Sequence, residues 1–366
     1  MKSSHLRAAA LAALLAPWPI SAAPQLRYAA VVMRHGVRSP TWDAERLNQY
    51  SARPWPDWGV PPGNLTPHGR DVIKLLGSYY REWFTGQRVL SREGCRDASR
   101  VYVWADTDQR TVETGRAFAE SFLPGCNLTV HSRPDGEGDP LFEGVGGADP
   151  GAAEAVRKRL GDNPQHLMTD HRIALDTLQF ILTGAESAPK QLIESPAEVA
   201  VSMRDRKLEL KGPFAVSSSL SEDLLLEYAN HMTGADLGWG RLTRDNLFRV
   251  LELHAVYADL TRRTPELARA RGSNLLAHVL ASIEQAASGK KTAGALGPPG
   301  TAVLIISGHD TNLSNISGML GLSWTLPGYQ PDDTPPGGAL IFSLWGDAAD
   351  GSLFVKTQYT APLVSG

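Results

Sequence analysis

The sequence lacks the features that mark three large classes of protein. Its 366 residues carry 36 basic and 39 acidic side chains, a net charge of −3, so it has no basic excess for binding nucleic acid. Beyond the first 23 residues it has no apolar run long enough to cross a bilayer. Its two cysteines, Cys95 and Cys126, have neither the surroundings of a nucleophile nor those of a metal site. What remains is a globular protein long enough for two domains or one large one.

The first 23 residues differ in composition from the rest of the chain. Lys2 and Arg7 precede a run of mostly Ala and Leu over residues 8–20, and three small residues follow. Basic, apolar and small-residue regions in this order are typical of a secretory signal peptide. A membrane anchor, the alternative, fits less well because the run is short and contains two prolines. We therefore expect residues 1–23 to be removed, leaving 34 basic and 39 acidic residues in a periplasmic or secreted protein without membrane association.

Export implies an oxidising compartment, and the two cysteines are consistent with it. Cys95 and Cys126 flank a predicted strand and helix, so a bond between them would close a loop of 32 residues, 95 to 126 inclusive. In the chain-entropy model such a crosslink stabilises the fold by roughly 3 to 4 kcal/mol. A disulfide is the prediction, and two buried free thiols are the alternative.

Residues 29–41 contain the strongest functional signal in the sequence. Five small or apolar residues, Ala-Ala-Val-Val-Met, predict a buried strand, and Arg34, His35 and Arg38 follow it. Open α/β sheets bind ligands at the carboxyl ends of their strands, so these three side chains are expected in a site. Two guanidinium groups beside one imidazole favour a bound anion such as phosphate, because desolvated cations need a counter-charge. The alternative is that both arginines are surface residues and His35 is a core histidine.

Two further predicted strands end in residues of the same kind. Residues 100–105 form an apolar strand, and the helix that follows has Arg110 in its first turn. Residues 301–307 form another, followed by His309 and Asp310. The amides of a helix N-terminus attract anions, and Arg110 would add a third guanidinium group to the pocket. Since the strand ends should meet at one edge of the sheet, the sequence predicts one site built from three segments.

Helical periodicity dominates the middle of the chain. Candidate helices cover residues 151–160, 166–182, 220–231, 244–261 and 265–288. We therefore expect an α/β catalytic domain formed by residues 24–148 and 295–366. Residues 149–294 would be inserted into it as a helical cap domain.

Four short segments carry a recognisable combination of residues. They are Arg-His-Gly-Val-Arg-Ser-Pro at 34–40, Ala-Asp-Thr-Asp-Gln-Arg-Thr at 105–111, Gly-Trp-Gly-Arg at 238–241 and Ser-Gly-His-Asp-Thr-Asn at 307–312. Together they resemble the histidine acid phosphatases, the branch of the histidine phosphatase superfamily that contains phytases and glucose-1-phosphatases. The resemblance covers nearly all of the chain after the signal peptide and is greatest to bacterial periplasmic phytases. It implies a phosphoglycerate-mutase-like three-layer α/β/α sheet domain with an inserted, mostly helical second domain.

The chemistry of phosphomonoester hydrolysis has a role for each residue of the predicted pocket. Positive charge is needed around the phosphate oxygens, and four side chains would supply it: Arg34, Arg38, Arg110 and His309. His35 would attack phosphorus and form a phosphohistidine, because a neutral imidazole remains available in mild acid. Asp310 would protonate the leaving oxygen and then, as a carboxylate, activate water. Since Asp310 must first be protonated, an acidic pH optimum is expected.

The resemblance also implies that Thr41 and Glu222 line the substrate cleft. Trp42 occupies a position that is basic in the phytases, so this chain has an aromatic ring where those enzymes have a cation. The two cysteines allow only one disulfide of the family's larger set.

These features predict a secreted acid phosphatase that acts on small phosphomonoesters, with phytate (myo-inositol hexakisphosphate) as the first candidate substrate. The alternatives are a glucose-1-phosphatase or broad-specificity acid phosphatase, a phosphotransfer mutase of the same superfamily, and a non-catalytic protein that binds phospholigands. The assigned roles require no cofactor and no metal. We expect a monomer with no nucleic-acid partner.

Overall fold

A computed structural model of the chain describes residues 23–92, 94–134, 136–143, 150–190, 192, 200–204 and 207–363. Apart from its last position, the predicted signal peptide lies outside these residues. None of the helices within these ranges has both the length and the apolar character needed to span a bilayer.

The described strands form a six-stranded mixed sheet and a separate two-stranded hairpin. In chain order the strands are β1 (Gln25–Arg34), β2 (Val101–Ala105), β3 (Val130–His131), β4 (Ala200–Arg204), β5 (Lys207–Lys211), β6 (Val303–Gly308), β7 (Ala339–Gly346) and β8 (Leu353–Thr360). The order across the large sheet is β3-β2-β6-β1-β7-β8, and β4 pairs with β5. The apolar strand singled out in the sequence, β1, therefore lies inside the sheet between β6 and β7.

Helices connect and cover these strands. In chain order they are α1 (Ala44–Leu47), α2 (Pro67–Gly86), α3 (Gln109–Phe122), α4 (Pro140–Glu143), α5 (Pro150–Leu160), α6 (His166–Asp170), α7 (Arg172–Thr183), α8 (Pro213–Ala229), α9 (Arg244–Thr261), α10 (Pro265–Ser288) and α11 (Asp310–Leu320). The start of α2 shows why one of them begins where it does: Oγ1 of Thr66 accepts a 2.9 Å hydrogen bond from the Gly69 amide. Pro67 takes the first helical position, where it loses no intrahelical bond.

Parallel pairing brings three strand ends to the same edge of the large sheet. β1 and β2 each run parallel to β6, with Arg34 opposite Gly308 and Ala105 opposite Ser307. β7 runs antiparallel to β1, so its first residue, Ala339, lies near the same edge. The predicted α/β class is confirmed. The sheet is mixed rather than entirely parallel, because β7 and β8 return as antiparallel strands.

Each face of the sheet has its own hydrophobic core. From β1, Ala29 and Val31 pack with residues of α2 and α3 on one face. Tyr28 and Val32, which alternate with them, pack with residues of α10 and α11 on the other face. Side chains of a strand point alternately to the two faces, so an unbroken apolar strand is buried on both sides. The sheet with helices on both faces forms the predicted three-layer α/β/α arrangement.

A third hydrophobic core lies among α5, α7, α8 and α9, with members such as Val156, Leu178, Leu224 and Val250. Most residues of this core are leucines. Their spacing along the helices produces the helical periodicity seen in the sequence. Part of α10 belongs to a different core, because Leu275 and other residues of this helix pack against the sheet. The division of the chain into two domains stays a prediction.

The helical region differs from its prediction in three places. The hairpin β4–β5 was not predicted, because it is short and surrounded by helical patterns. α8 begins at Pro213 rather than at residue 220, since serines in its first turns interrupt the apolar pattern. The helix predicted over residues 166–182 is two helices, which meet at His171, where φ is −104° and ψ is 22°.

Cys95 and Cys126 form a disulfide with Cα atoms 5.2 Å apart, as predicted. Replacing both cysteines by serine should lower the free energy of unfolding by roughly 3 to 4 kcal/mol, because the unfolded chain regains loop entropy. Urea denaturation of the two proteins measures the difference. A reductant should lower the midpoint of the native protein and leave that of the double-serine variant unchanged. Equal responses of the two proteins would contradict the prediction.

Candidate active site

The backbone at the carboxyl edge of the sheet holds Arg34 and His35 in place. The Arg34 amide donates to the Gly338 carbonyl at 2.8 Å, and the His35 amide donates to the Gly308 carbonyl at 2.9 Å. The Gly337 amide in turn donates to the His35 carbonyl at 3.1 Å. Strand pairing thus continues one residue past β1, and His35 is bound on both sides by the segments next to it.

The segment after His35 is fixed by close contact with the start of α2. The Thr66 amide donates to the Val37 carbonyl at 2.9 Å, and the Ser39 amide donates to the Asn64 carbonyl at 3.0 Å. Gly69 has no room for a side chain, since a Cβ there would lie 2.2 Å from the Val37 carbonyl oxygen. The close approach of α2 therefore determines where Arg38 lies.

His35 is held as a neutral imidazole. Its side chain is nearly fully buried, and Nδ1 lies 2.8 Å from the Gly36 carbonyl oxygen. A carbonyl oxygen only accepts hydrogen bonds, so Nδ1 carries the proton and the lone pair is left on Nε2. Burial lowers the pKa of His35 well below its ordinary value, and the guanidinium groups of Arg34 and Arg110 add to the effect. A neutral ring with a free lone pair is the form that can act as a nucleophile.

Two buried arginines face acidic side chains of α8. Arg34 is 1 % exposed, forms an ion pair with Oε1 of Glu222, and donates from Nη1 to the Thr334 carbonyl at 2.6 Å. Nη2 of Arg38 lies 3.4 Å from Oε2 of the same Glu222, and Nη1 lies 3.9 Å from Oδ1 of Asp223. Glu222 was predicted to line the cleft, and the structure brings it into direct contact with both arginines.

The third predicted arginine and His309 lie against acidic residues that follow β2. Nε2 of His309 is 2.7 Å from Oδ2 of Asp106 and 3.5 Å from Oδ2 of Asp108. Nη2 of Arg110 is 2.6 Å from Oδ2 of Asp108. The rings of His309 and His35 meet edge to face, with centroids 5.6 Å apart. The histidines of the first and third predicted segments are therefore neighbours.

Asp310 is the first residue of α11. It is faced by His254 of α9 and by Arg262, which directly follows α9. Nη1 of Arg262 donates to Oδ2 of Asp310, and Nε2 of His254 lies 3.9 Å from the same oxygen. The Thr311 amide donates to Oδ1 of Asp310 at 2.8 Å. Burial raises the pKa of Asp310, but Arg262, Arg34 and His254 outweigh it and hold the pKa well below its ordinary value. The carboxyl group is ionised in this arrangement.

Three acidic residues of α8 differ in charge although they are close together in this helix. Burial raises the pKa of Glu222, but Arg34 and Arg38 outweigh it and lower the pKa to about 2. Burial raises the pKa of the neighbouring Asp223 to about 8 and that of Glu227, one turn later, to about 8. Glu222 is therefore a carboxylate in mild acid, whereas the other two are carboxylic acids.

The structure thus brings seven of the predicted site residues to one edge of the sheet: Arg34, His35, Arg38, Arg110, Glu222, His309 and Asp310. Their individual roles stay predictions. Thr41 and Trp42 have no direct contact with this group among the described contacts. Thr41 is exposed, and Trp42 is half-buried with the guanidinium carbon of Arg46 3.5 Å from its ring centroid.

Sequence reasoning did not select Arg262, His254 or Asp223. Asp106 belongs to the segment at 105–111 that carries the family resemblance, but it had no predicted role. Arg262 and His254 belong to a helical region in which basic residues are common, so no local pattern distinguishes them. Only the packing of α9 against α11 brings them to Asp310.

Two groups of side chains near the site have the donor atoms that a metal ion needs. The first is Asp106, Asp108 and His309, and the second is Glu222, His254 and Asp310, with ligand atoms within 4.8 Å of one another in each group. Arginines already pair with acids of both groups. Arg110 pairs with Asp108 in the first group. In the second group, Arg34 pairs with Glu222 and Arg262 pairs with Asp310. Asp108, Glu222 and Asp310 thus each have a guanidinium partner within the protein.

The comparison with protein families agrees with this arrangement. The model of the histidine phosphatase superfamily (branch 2) matches residues 25–180 and 201–360. The chain belongs to this superfamily. Members of this branch hydrolyse phosphoric monoesters, and this histidine phosphatase is a phosphoric monoester hydrolase as well.

Individual relatives share most of the chain. Phytase AppA of Escherichia coli (strain K12) is 36% identical over 355 residues, which cover 92% of this histidine phosphatase and 81% of that protein. A glucose-1-phosphatase of Salmonella typhimurium (strain LT2) is 28% identical over 372 residues, with 98% and 87% covered. The solved structure of Hafnia alvei phytase in complex with tartrate has a TM-score of 0.82 and 35% identity, with 93% and 85% covered.

The buried carboxylic acids of this histidine phosphatase should make its stability depend on pH. Burial raises the pKa of Asp333 to about 7, and the pKa values of Asp223 and Glu227 are about 8. In the unfolded chain these groups ionise near pH 4. Between about pH 4 and pH 8 these three groups therefore hold more protons in the folded protein than in the unfolded chain, and the stability that they contribute should fall as the pH rises through this window.

Glu227→Gln tests this expectation, because the Gly238 amide donates to Oε2 of Glu227 at 2.8 Å and a glutamine oxygen can accept the same bond. The melting temperature of the variant at pH 8 should exceed that of the native protein by at least about 3 °C, with little difference at pH 4. Thermal denaturation at both values measures it. The exposed Glu266→Gln should show no such pH-dependent gain, and an equal gain for both variants would refute the explanation.

Proposed function

We propose that this protein is a histidine acid phosphatase that hydrolyses phosphomonoesters through a phosphohistidine on His35. The observation that carries the proposal is that His35, with its lone pair on Nε2, shares one sheet edge with Arg34, Arg38 and Asp310. Three guanidinium groups and an imidazole suit the oxygens of a phosphate group, and they are held by the protein before any charge develops. Identity of 36% to a phytase and 28% to a glucose-1-phosphatase supports the same reaction class.

The proposed reaction has two steps that balance in atoms and charge. In the first, Nε2 of His35 forms a bond to phosphorus, the bond from phosphorus to the alcohol oxygen breaks, and Asp310 gives its proton to that oxygen. In the second, a water oxygen bonds to phosphorus, the bond to His35 breaks, and the water proton moves to Asp310. Inorganic phosphate leaves, and Asp310 is again ready to donate.

We further propose that phytate is a substrate and that the mature protein acts in the periplasm or outside the cell. The relatives named phytase support the first statement. The disulfide between Cys95 and Cys126 and the signal-peptide pattern of residues 1–23 support the second.

His35→Ala should lower the rate of phosphate release by at least about 10⁴-fold, because removal of a nucleophile abolishes the covalent step. Asp310→Asn should accumulate phosphoenzyme, since no carboxylate remains to activate water. Phosphate release from an aryl phosphate in acid and ³¹P-NMR of the trapped protein measure the two effects. His166→Ala removes a histidine that is paired with Asp170 on α6 and should leave activity unchanged. Full activity of His35→Ala would refute the proposal.

A specific observation favours a second candidate function, hydrolysis of sugar or aryl monophosphates in preference to phytate. A cleft of about 290 Å³ begins at Ser39 and Pro40, the residues that follow Arg38, and three tryptophans line it: Trp42, Trp55 and Trp58. Among the described residues of its lining, the one charged side chain is acidic, Asp57. Tryptophan rings suit the faces of sugar or aryl groups, whereas the additional phosphates of phytate need cations.

Trp42→Lys tests this second candidate. A lysine at this position should raise kcat/KM for phytate by roughly 2- to 5-fold, because a partly exposed ion pair is worth up to about 1 kcal/mol. It should leave kcat/KM for glucose 1-phosphate the same or lower. Steady-state hydrolysis of both substrates at acidic pH measures the ratio. Trp42→Phe, which keeps an uncharged ring, serves as the control, and an equal change for both substrates would contradict the assignment.

A further inference from the structure

Arg262 is a cation that is 15% exposed and lies in a hydrogen-bonded turn between two long helices. It follows α9 directly, and its amide donates to the Ala258 carbonyl at 2.9 Å. α10 begins at Pro265, and Oγ1 of Thr264 donates to the Leu260 carbonyl at 2.6 Å. The backbone of Arg262 is therefore fixed at both ends of the turn.

The packing of α11 on this turn brings Asp310 to Arg262. A Cβ at Gly318 of α11 would lie 2.6 Å from the Arg263 carbonyl oxygen, a distance that real Cβ contacts do not reach. Glycine at this position thus allows α11 to approach the turn closely. Asp310, at the N-terminus of the same helix, then accepts a hydrogen bond from Nη1 of Arg262.

Several charged or titratable groups face Asp310 from the elements packed around it. Arg34 approaches from β1, Arg110 from α3, Glu222 from α8, and His254 and Arg262 from α9 and its end. Arg262 differs from the other arginines because it donates directly to Oδ2 of Asp310. Arg34 and Arg110 instead have carboxylate partners of their own, Glu222 and Asp108.

The proposed reaction gives Asp310 two tasks that need opposite protonation states. It must carry a proton when the alcohol leaves, and it must be a carboxylate when water attacks. A guanidinium group in contact stabilises the carboxylate, whereas the negative charge of a nearby phosphate group stabilises the protonated form. A residue that adjusts this balance changes the rate of each step in opposite directions at a given pH.

We propose that Arg262 is a positioning residue that sets the proton affinity of Asp310 during turnover, an inference that rests on the proposed function. It acts through Asp310 and not on the substrate. Its guanidinium group favours the carboxylate that activates water, and it limits the proton donation from Asp310 to acidic solution. The acidic working range of the enzyme then depends on an arginine at the end of α9 as well as on the catalytic carboxyl group.

The test uses the single-turnover rate of alcohol release, with enzyme in excess, from about pH 3 to pH 8. Glycerol 2-phosphate has a poor leaving group that needs a proton, and p-nitrophenyl phosphate has a good one that does not. With glycerol 2-phosphate, Arg262→Gln should move the alkaline limb of the pH profile to higher pH by about one unit or more. This is the effect expected on the proton affinity of Asp310 when an adjacent opposite charge is lost. With p-nitrophenyl phosphate the alkaline limb should not move.

Two variants serve as controls. Arg262→Lys keeps the positive charge beside Asp310 and should restore the native pH profile for glycerol 2-phosphate. Arg249→Gln makes the same change in charge at an exposed position of α9, and its profile should match that of the native protein. The melting temperature of each variant shows whether it is folded.

Each remaining result decides between explanations. If folded Arg262→Gln slows both substrates by the same factor without moving the limb, Arg262 binds substrate or supports the fold, and the inference is overturned. A shift of the alkaline limb to lower pH would also overturn the inference. If the native protein releases alcohol from neither substrate, the proposed function itself fails, and the inference that rests on it is overturned as well.

Discussion

Arg34 is 1% exposed at the end of the central strand, and its charge is matched by an ion pair with Glu222 and a hydrogen bond to the Thr334 carbonyl. A buried guanidinium group without such partners would cost several kcal/mol. The elements around the sheet edge therefore have to supply partners for the cations there. α8 provides Glu222 to Arg34 and Arg38, and the segment after β2 provides Asp108 to Arg110 and Asp106 to His309. Helices far apart in the sequence are tied to the sheet by this requirement, and the cations that suit a phosphate group are held in fixed positions.

The same low-dielectric surroundings give chemically similar groups different charges. His35 is neutral because it is buried among guanidinium groups, and Asp310 is ionised because Arg262 contacts it. Asp223 and Glu227, which are also buried but have weaker partners, hold their protons up to about pH 8. A nucleophilic imidazole and an adjustable carboxyl group can thus work in the same acidic solution, since each has its own local environment.

A large part of the site could be predicted because it lies directly after apolar strands. Arg34, His35 and Asp310 each follow a run of buried residues, and parallel pairing places the ends of such runs at one edge. Arg262 and His254 could not be found in this way. His254 lies on α9 and Arg262 directly follows it, other residues of α9 pack in a different core, and the relation of both side chains to Asp310 depends on how α9, α10 and α11 meet.

The sequence by itself determined the α/β class, the central strand, the nucleophile candidate and the disulfide, because each is encoded in a short run of residues or in a pair of cysteines. Tertiary structure decided which carboxylate faces which cation, and thereby the different protonation states of Glu222, Asp223 and Asp310. It also decided that an arginine after α9 contacts Asp310, although 48 residues separate them. Hydrophobic periodicity acts over a few residues, whereas electrostatic pairing in a buried site depends on distances of a few ångströms between segments that only the completed fold brings together.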